Sequence, residues 1–158
     1  EPEIIDTGLG EICELEGLAQ FEGRLLLPCK IPYSKEHENN LVVFYHDLAT
    51  GETGIELSLP ADGIHGLNST NPAAIEVDAD RWLIISGLRI AEIQKETQSS
   101  RVFSLSQKRH RQPEGLAVLS DASIVIVDDN RKGISRITHY QNLSLLKEKG
   151  LAKKKKGK

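Results

Sequence analysis

The chain has 158 residues, of which 39% are hydrophobic, and this is long and apolar enough for one globular domain. It contains no apolar run of about 18 residues, which excludes a membrane-spanning helix, and no signal-peptide pattern. Twenty basic residues stand against 23 acidic ones, but five of the lysines lie within 153–158, so the rest of the chain is strongly acidic. That acidity excludes nucleic acid as the main partner.

Three segments of the chain share one layout, in which a short anchor is followed nine residues later by an apolar strand. A polar turn separates the anchor from the strand each time, so each segment predicts a β-hairpin. The anchors are Glu16-Gly17-Leu18-Ala19, Ala73-Ala74-Ile75-Glu76 and Glu114-Gly115-Leu116-Ala117, the turns are 21–23, 78–80 and 120–122, and the strands start at Leu25, Trp82 and Ser123.

Each unit continues with two more predicted strands. The third strands are expected at 41–45, 88–93 and 133–137, and the fourth at 53–57, 101–105 and, with a weaker pattern, 143–146. Asp47 to Gly51 reads as the turn between the third and fourth strands of the first unit. The C-terminal residues 151–158 are expected to form a disordered, lysine-rich tail.

Four short antiparallel strands recurring at about 40 residues are typical of β-propeller blades. We therefore predict an all-β fold, with about three blades of one partial propeller in residues 1–150. An unrelated β-sandwich is the alternative, but it would not require the constant nine-residue offset. Three blades leave two faces open, so we expect the ring to be closed by blades that precede this chain or by self-association.

At these anchors the sequence resembles a known family. The segments LEGLAQFEGRLLLPCK, NPAAIEVDADRWLIISG and HRQPEGLAVLSDASIVIVDDN look like consecutive blades of the SdiA-regulated family of bacterial cell-envelope proteins. The match runs from about Leu15 to Tyr140 and departs from the family pattern at Ala73, where relatives carry serine.

The resemblance implies a propeller of about five blades, distantly similar to NHL-repeat propellers, of which this chain holds the C-terminal part. It also implies calcium binding, no established enzymatic activity, and a periplasmic, secreted or other cell-envelope location.

Four acidic residues are candidate calcium ligands. The first strand of each propeller blade lines the central channel, so Glu16 and Glu114 would converge there and repel each other unless a cation compensates. Asp128 and Asp129 end a predicted buried strand at the channel rim, and oxygen ligands of this kind suit calcium. Two structural interpretations stay open: the glutamates could cap backbone N–H groups, and the aspartates could simply favour the turn.

The remaining chemistry-bearing residues favour structural roles. Five histidines without a metal or triad pattern are expected in loops, and the basic cluster 108–111 is expected in a surface loop. Cys13 and Cys29 have no metal spacing, and a lone disulfide between them is the less favoured option. For Cys29, which stands beside Lys30, a buried structural role is favoured over a reactive thiol with a lowered pKa.

The leading functional prediction is a non-catalytic, calcium-binding propeller that presents its loops to an unidentified protein or small-molecule partner. One alternative is a calcium-dependent hydrolase, related to propellers that polarise a lactone or ester carbonyl. The other is an interaction scaffold without a metal. A base or nucleophile beside the cation would favour the hydrolase, and none of the histidines adjoins either anchor along the predicted channel strand.

Overall fold

The protein is all-β with antiparallel sheets, as the sequence predicts. Continuous apolar runs such as 41–44 and 82–85 form strands that are buried along their length. The computed structural model describes residues 2, 4–67, 70–129 and 133–149. The strands in this part of the chain are β1 (Cys13–Leu15), β2 (Ala19–Phe21), β3 (Arg24–Pro32), β4 (Asn40–Asp47), β5 (Thr53–Pro60), β6 (Pro72–Val77), β7 (Arg81–Ser86), β8 (Arg89–Gln94), β9 (Ser100–Ser104), β10 (Pro113–Val118), β11 (Ile124–Asp128), β12 (Arg136–Tyr140) and β13 (Lys147–Lys149).

The helical elements in the described ranges are three short 3-10 turns. None of them has the length or the hydropathy to cross a membrane. The turns are Leu9–Glu11, Ala61–Gly63 and Leu143–Leu145.

The strands form three sheets, one for each predicted unit. In the first sheet β3, β4 and β5 follow in order, and both β1 and β2 pair with β3. The second sheet runs β6-β7-β8-β9, and the third runs β10-β11-β12. The three predicted hairpins are confirmed as β2–β3, β6–β7 and β10–β11. The predicted turn after Asp47 is also present, with the Asp47 carboxylate accepting from the Ala49 and Thr50 amides at 3.0 Å.

The third unit differs from its prediction. Its third strand lies at Arg136–Tyr140, three residues later than expected, because Asp128 pairs with Arg136. The predicted fourth strand at 143–146 is wrong, since Leu143–Leu145 forms a 3-10 turn. The chain then crosses to the second sheet, where β13 pairs with β9.

Two apolar interfaces hold the sheets together. The first lies between the first and second sheets and is built around the fully buried Leu41, Val43, Ile84 and Ile93. The second lies between the second and third sheets around Leu83, Ile90 and Ile126. As a result, β6 of the middle sheet packs against β3 and against β10.

A disulfide between Cys13 and Cys29 ties β1 to β3, with a Cα–Cα distance of 5.8 Å. The disulfide, which the sequence left as the less favoured option, is therefore present, and the expected burial of Cys29 is confirmed. Both cysteines are buried on the outer face of the first sheet, where they pack with Leu9, Val42 and Phe44. Residues 151–158, the predicted tail, lie outside the described residues.

Candidate functional site

The same irregularity interrupts the first strand of all three units. At each anchor the first strand has one more residue than the strand it pairs with. This is a β-bulge in the second and third units, and in the first unit the extra residue lies in the gap between β1 and β2. The register pairs that flank the extra residue are Leu15–Cys29 and Ala19–Leu26, Pro72–Ser86 and Ala74–Ile85, and Pro113–Asp128 and Gly115–Val127. The extra residue is Ala73 in the second unit and Glu114 in the third, and it lies within 16–18 in the first. Bulges redirect a side chain out of the regular ladder and are frequent next to binding sites.

Gly17, directly after the first anchor residue, lets two sheets approach closely. Its φ is +85°, and a Cβ there would lie 3.1 Å from Ala74 Cα and 3.2 Å from the Ala73 carbonyl oxygen. The lack of a side chain at this position therefore brings the anchor of the first unit against the bulge of the second.

We expect Gly17→Ala to destabilise the protein more than Gly23→Ala, by about 1 kcal/mol or more, because only the former adds a steric conflict. Gly23 is the matched control: its φ is +81°, but a Cβ there would have no neighbour within 4 Å. Urea unfolding of both variants measures the difference. Equal losses would show that only the backbone conformation matters at position 17.

Glu16 and Glu114 line one cavity of about 220 Å³, together with Ala73. The structure thus brings the two predicted anchor carboxylates to one pocket, although they belong to the first and third units. The same cavity is lined by two basic residues, Lys30 and Arg111, which sequence reasoning did not connect with the site. We call this cavity the bulge pocket.

The two carboxylates of the bulge pocket have different partners. Lys30 Nζ lies 3.0 Å from Glu16 Oε1 and 3.5 Å from a carboxylate oxygen of Glu14. The hydrogen bond to Glu16 raises the pKa of Lys30, so this ammonium stays charged at neutral pH. Glu114 Oε1 instead accepts from the neutral amide of Gln112 at 2.5 Å. Among the residues that the structure describes, the Glu114 carboxylate is therefore the less compensated of the two.

Asp128 lies in the core instead of facing the bulge pocket. Only 2% of it is exposed; it accepts from the Arg111 backbone N–H at 3.0 Å and lies 2.7 Å from His110 Nδ1. The other ring nitrogen of His110 is 2.7 Å from the Tyr140 hydroxyl. An ionised Asp128 accepts from Nδ1–H, which leaves Nε2 of the neutral ring to accept from Tyr140. This buried Asp128–His110–Tyr140 chain links β11, the 108–111 loop and β12.

Asp129 is half-buried, and its backbone N–H donates to the Gln112 carbonyl at 2.9 Å. Of the described residues, neither Asp129 nor Asp128 lines the bulge pocket. The described residues also contain no group of three or more His, Cys, Asp and Glu side chains arranged to hold a metal. Of the four predicted ligands, Glu16 and Glu114 therefore line the bulge pocket, and Asp128 and Asp129 do not.

His110 lies in a loop, as expected, but the expected surface position is wrong for it, because the residue is fully buried. The loop expectation is wrong for His46 and His139, which lie in β4 and β12. Lys108 and Arg109, which precede His110, are exposed, as expected of a surface loop. Nothing in the local sequence separates the buried histidine from the exposed basic residues beside it. The one available signal is the carboxylate of Asp128 at the end of a buried strand, which requires a donor inside the protein.

No known protein family matches the chain, and no curated protein does either. The resemblance to the SdiA-regulated family therefore stays a prediction. The fold and the site together define an all-β protein of three antiparallel sheets. A charged pocket lies where the anchors of the three units meet.

Proposed function

We propose that the three sheets are consecutive blades of a β-propeller. Three observations support this arrangement. Strands that follow one another in sequence pair side by side in each sheet, and the first strand of each unit has one extra residue at its anchor. In addition, β6 packs between β3 and β10. The inner strands then lie side by side around the start of a channel. The bulge pocket is at that position.

The outer face of the third sheet supports closure of the ring by a further blade or by self-association. Val127 and Ile137 pair across β11 and β12 and are 40% and 76% exposed. The equivalent pair in the second sheet, Ile85 and Ile90, is buried against the third sheet. An apolar face that repeats a packing face is expected to be covered in the assembled protein.

Within this architecture the protein acts as a non-catalytic binding module that takes calcium in the bulge pocket. The observation that carries the proposal is the convergence of Glu16 and Glu114, from separate units, on one cavity. Their carboxylate oxygens are the ligands that calcium prefers, and water completes the coordination of about 6–8 oxygens. In the metal-free protein Lys30 supplies the positive charge beside Glu16.

Millimolar calcium is expected to raise the Tm of the chain relative to excess chelator. Calcium at 100 times its Kd would stabilise the native state by about 2.7 kcal/mol, which is roughly 5–11 °C for a chain of this length. Glu114→Gln and Glu16→Gln should abolish the shift, and Glu96→Gln, at an exposed carboxylate elsewhere, should retain it. Lys30→Met should tighten calcium binding roughly tenfold, because it removes a competing cation.

The alternative that an observation favours is a metal-free scaffold. Lys30 and Arg111 already place two positive charges in the bulge pocket beside its two carboxylates. This reading predicts no calcium shift in the wild-type protein or in Lys30→Met, and unchanged or higher stability in Glu114→Gln. Those results together would overturn the calcium proposal.

We propose binding and not hydrolysis for this site. A calcium-dependent hydrolase needs a general base beside the bound substrate. His110 adjoins Arg111 of the bulge pocket in sequence, but both of its ring nitrogens are engaged in the core. Turnover of a lactone or aryl ester that is lost in Glu114→Gln would contradict this part of the proposal.

The cell envelope is the proposed location, and the Cys13–Cys29 disulfide supports it. Disulfides persist in the periplasm and outside the cell and are rare in the reducing cytosol. The loops of the protein would then contact a partner in the cell envelope or outside the cell.

A further inference from the structure

A basic surface adjoins the loop 105–112, which joins β9 to β10. Residues 97–113 contain no aspartate or glutamate, although the chain has 23 acidic residues among its 158. Lys108 and Arg109 are exposed, and in the part of the chain that the structure describes neither side chain has an ion-pair partner. We call residues 105–112 the basic loop. A local excess of positive charge on an otherwise acidic chain attracts anions to this part of the surface.

The backbone of the basic loop is held in one conformation. The N–H groups of Arg109 and His110 both donate to the Ser106 carbonyl at 2.8 Å, which closes a tight turn. His110 is fully buried, and the Arg111 N–H donates to the Asp128 carboxylate at 3.0 Å. These contacts anchor the loop to the third sheet. The exposed cations of the loop are therefore preorganised, and a ligand that binds them has little backbone freedom to freeze.

The basic loop contributes to two cavities. One, of about 530 Å³, is lined by Gln107, Lys108 and Arg111. The other, of about 400 Å³, is lined by Arg109 from the loop and by Lys147 from β13. Because Lys108 and Arg109 are consecutive residues, with Cα atoms about 3.8 Å apart, the two cavities are neighbours. Four cations from two segments of the chain thus line adjoining concavities.

Two carboxylates lie near these cations but not in the two cavities. Glu114 lines the bulge pocket together with Arg111, so Arg111 is partly compensated. Glu148 follows Lys147 in β13, and the alternation of side chains along a strand directs it to the other face. Of the described residues that line the two cavities, none is an aspartate or a glutamate. The positive charge of Lys108, Arg109 and Lys147 is therefore available to a ligand.

We propose that the two cavities beside the basic loop bind a linear polymer of phosphate groups. Arg109 and Arg111 carry guanidinium groups, which match phosphate oxygens in a bidentate geometry. A single phosphate gains little at exposed cations, because water and salt screen each ion pair. A chain of phosphates that crosses from one cavity to the other contacts all four cations at once, and its contacts reinforce one another. This site is separate from the bulge pocket and does not depend on calcium.

The aromatic content of the surface favours a phosphate chain over a nucleic acid. Tyr140 is the aromatic residue among the described residues that line the two cavities, and it is 5% exposed. Its hydroxyl lies 2.7 Å from a ring nitrogen of the buried His110. Single-stranded nucleic acids gain much of their affinity from bases stacked on exposed aromatic rings, and these cavities offer no such ring in the described part of the chain.

Inorganic polyphosphate with a fluorescent end label is the probe, and its anisotropy measures binding. The protein is the full chain with the five lysines of 153–158 replaced by glutamine, in chelator, so that neither those charges nor the bulge pocket contributes. We expect saturable binding, with a slope of log K against log salt concentration of about −3 for four cations at about 0.7 each. The affinity should then fall roughly 50-fold between about 50 and 200 mM salt. Monophosphate at the same total phosphate concentration should not compete.

The double variant Arg109→Gln, Lys147→Gln should bind polyphosphate at least tenfold more weakly, with about half the salt slope. Lys108→Gln should weaken binding severalfold, and Lys35→Gln, at an exposed lysine in another loop, is its matched control and should bind as the parent chain does. Absence of saturable binding, full competition by monophosphate, or an unchanged salt slope in the double variant would each overturn the proposal.

An oligothymidylate with the same number of phosphates tests the alternative polymer. Weaker binding than that of polyphosphate is expected, and tighter binding would identify a nucleic acid as the ligand and overturn the proposal. The salt titration and both competition experiments need no substitution within residues 1–150, so they decide the question even if the double variant does not fold.

Discussion

Reduction of the Cys13–Cys29 disulfide is expected to lower the Tm by roughly 6–12 °C. The bond closes a loop with a sequence separation of 16 residues. In the chain-entropy description, closing such a loop removes about 3 kcal/mol of freedom from the unfolded state, and 1 kcal/mol corresponds to roughly 2–4 °C at this size. Among the described strands β1 pairs only with β3, and the disulfide adds a covalent link between these two strands.

The double variant Cys13→Ser, Cys29→Ser is the control for reduction. It should melt at or below the Tm of the reduced wild type, and added reductant should not change its Tm, because no disulfide remains to be opened. Thiol titration establishes that the wild type has been reduced. If two thiols appear in the reduced wild type and its Tm does not fall, the disulfide does not stabilise the first sheet.

The local parts of the fold could be predicted from the sequence. A hairpin depends on alternation of apolar residues and on a polar turn a few residues long, and both can be read directly from the anchors and the strands that follow them. Interactions between distant segments could not be predicted in this way. β13 has the sequence Lys-Glu-Lys, without strand character of its own, and it pairs with β9 because that edge of the second sheet is available.

The candidate site was predictable in position but not in charge. The repeat placed Glu16 and Glu114 at equivalent residues, and the structure puts both on one cavity. The sequence did not indicate that Lys30 would neutralise Glu16, because Lys30 is the extra residue at the irregularity in the β1–β3 register, and an inserted residue changes which side chains meet. Asp128 shows the same limit, since its partner His110 comes from a loop.

Asp128→Ala is expected to lose about 3–5 kcal/mol of the free energy of unfolding, because two buried donors lose their acceptor at a cost of about 1–3 kcal/mol each. The substitution leaves His110 Nδ1 and the Arg111 amide without their acceptor, and His110 and Asp128 are both buried. A loss of this size corresponds to roughly 6–20 °C in Tm. Urea unfolding followed by circular dichroism gives the free energy.

Asp129→Ala is the matched control, because it removes the neighbouring carboxylate, which is half-buried, and should cost less than about 1 kcal/mol. The calcium response separates the structural role of Asp128 from a ligand role. Calcium should shift the Tm of Asp128→Ala by as much as it shifts the wild type, because the Asp128 side chain is buried and does not line the bulge pocket. If Asp128→Ala were as stable as the wild type in chelator and lost the calcium shift, Asp128 would belong to the cation site. That result would contradict a stabilising role for the buried Asp128–His110–Tyr140 chain.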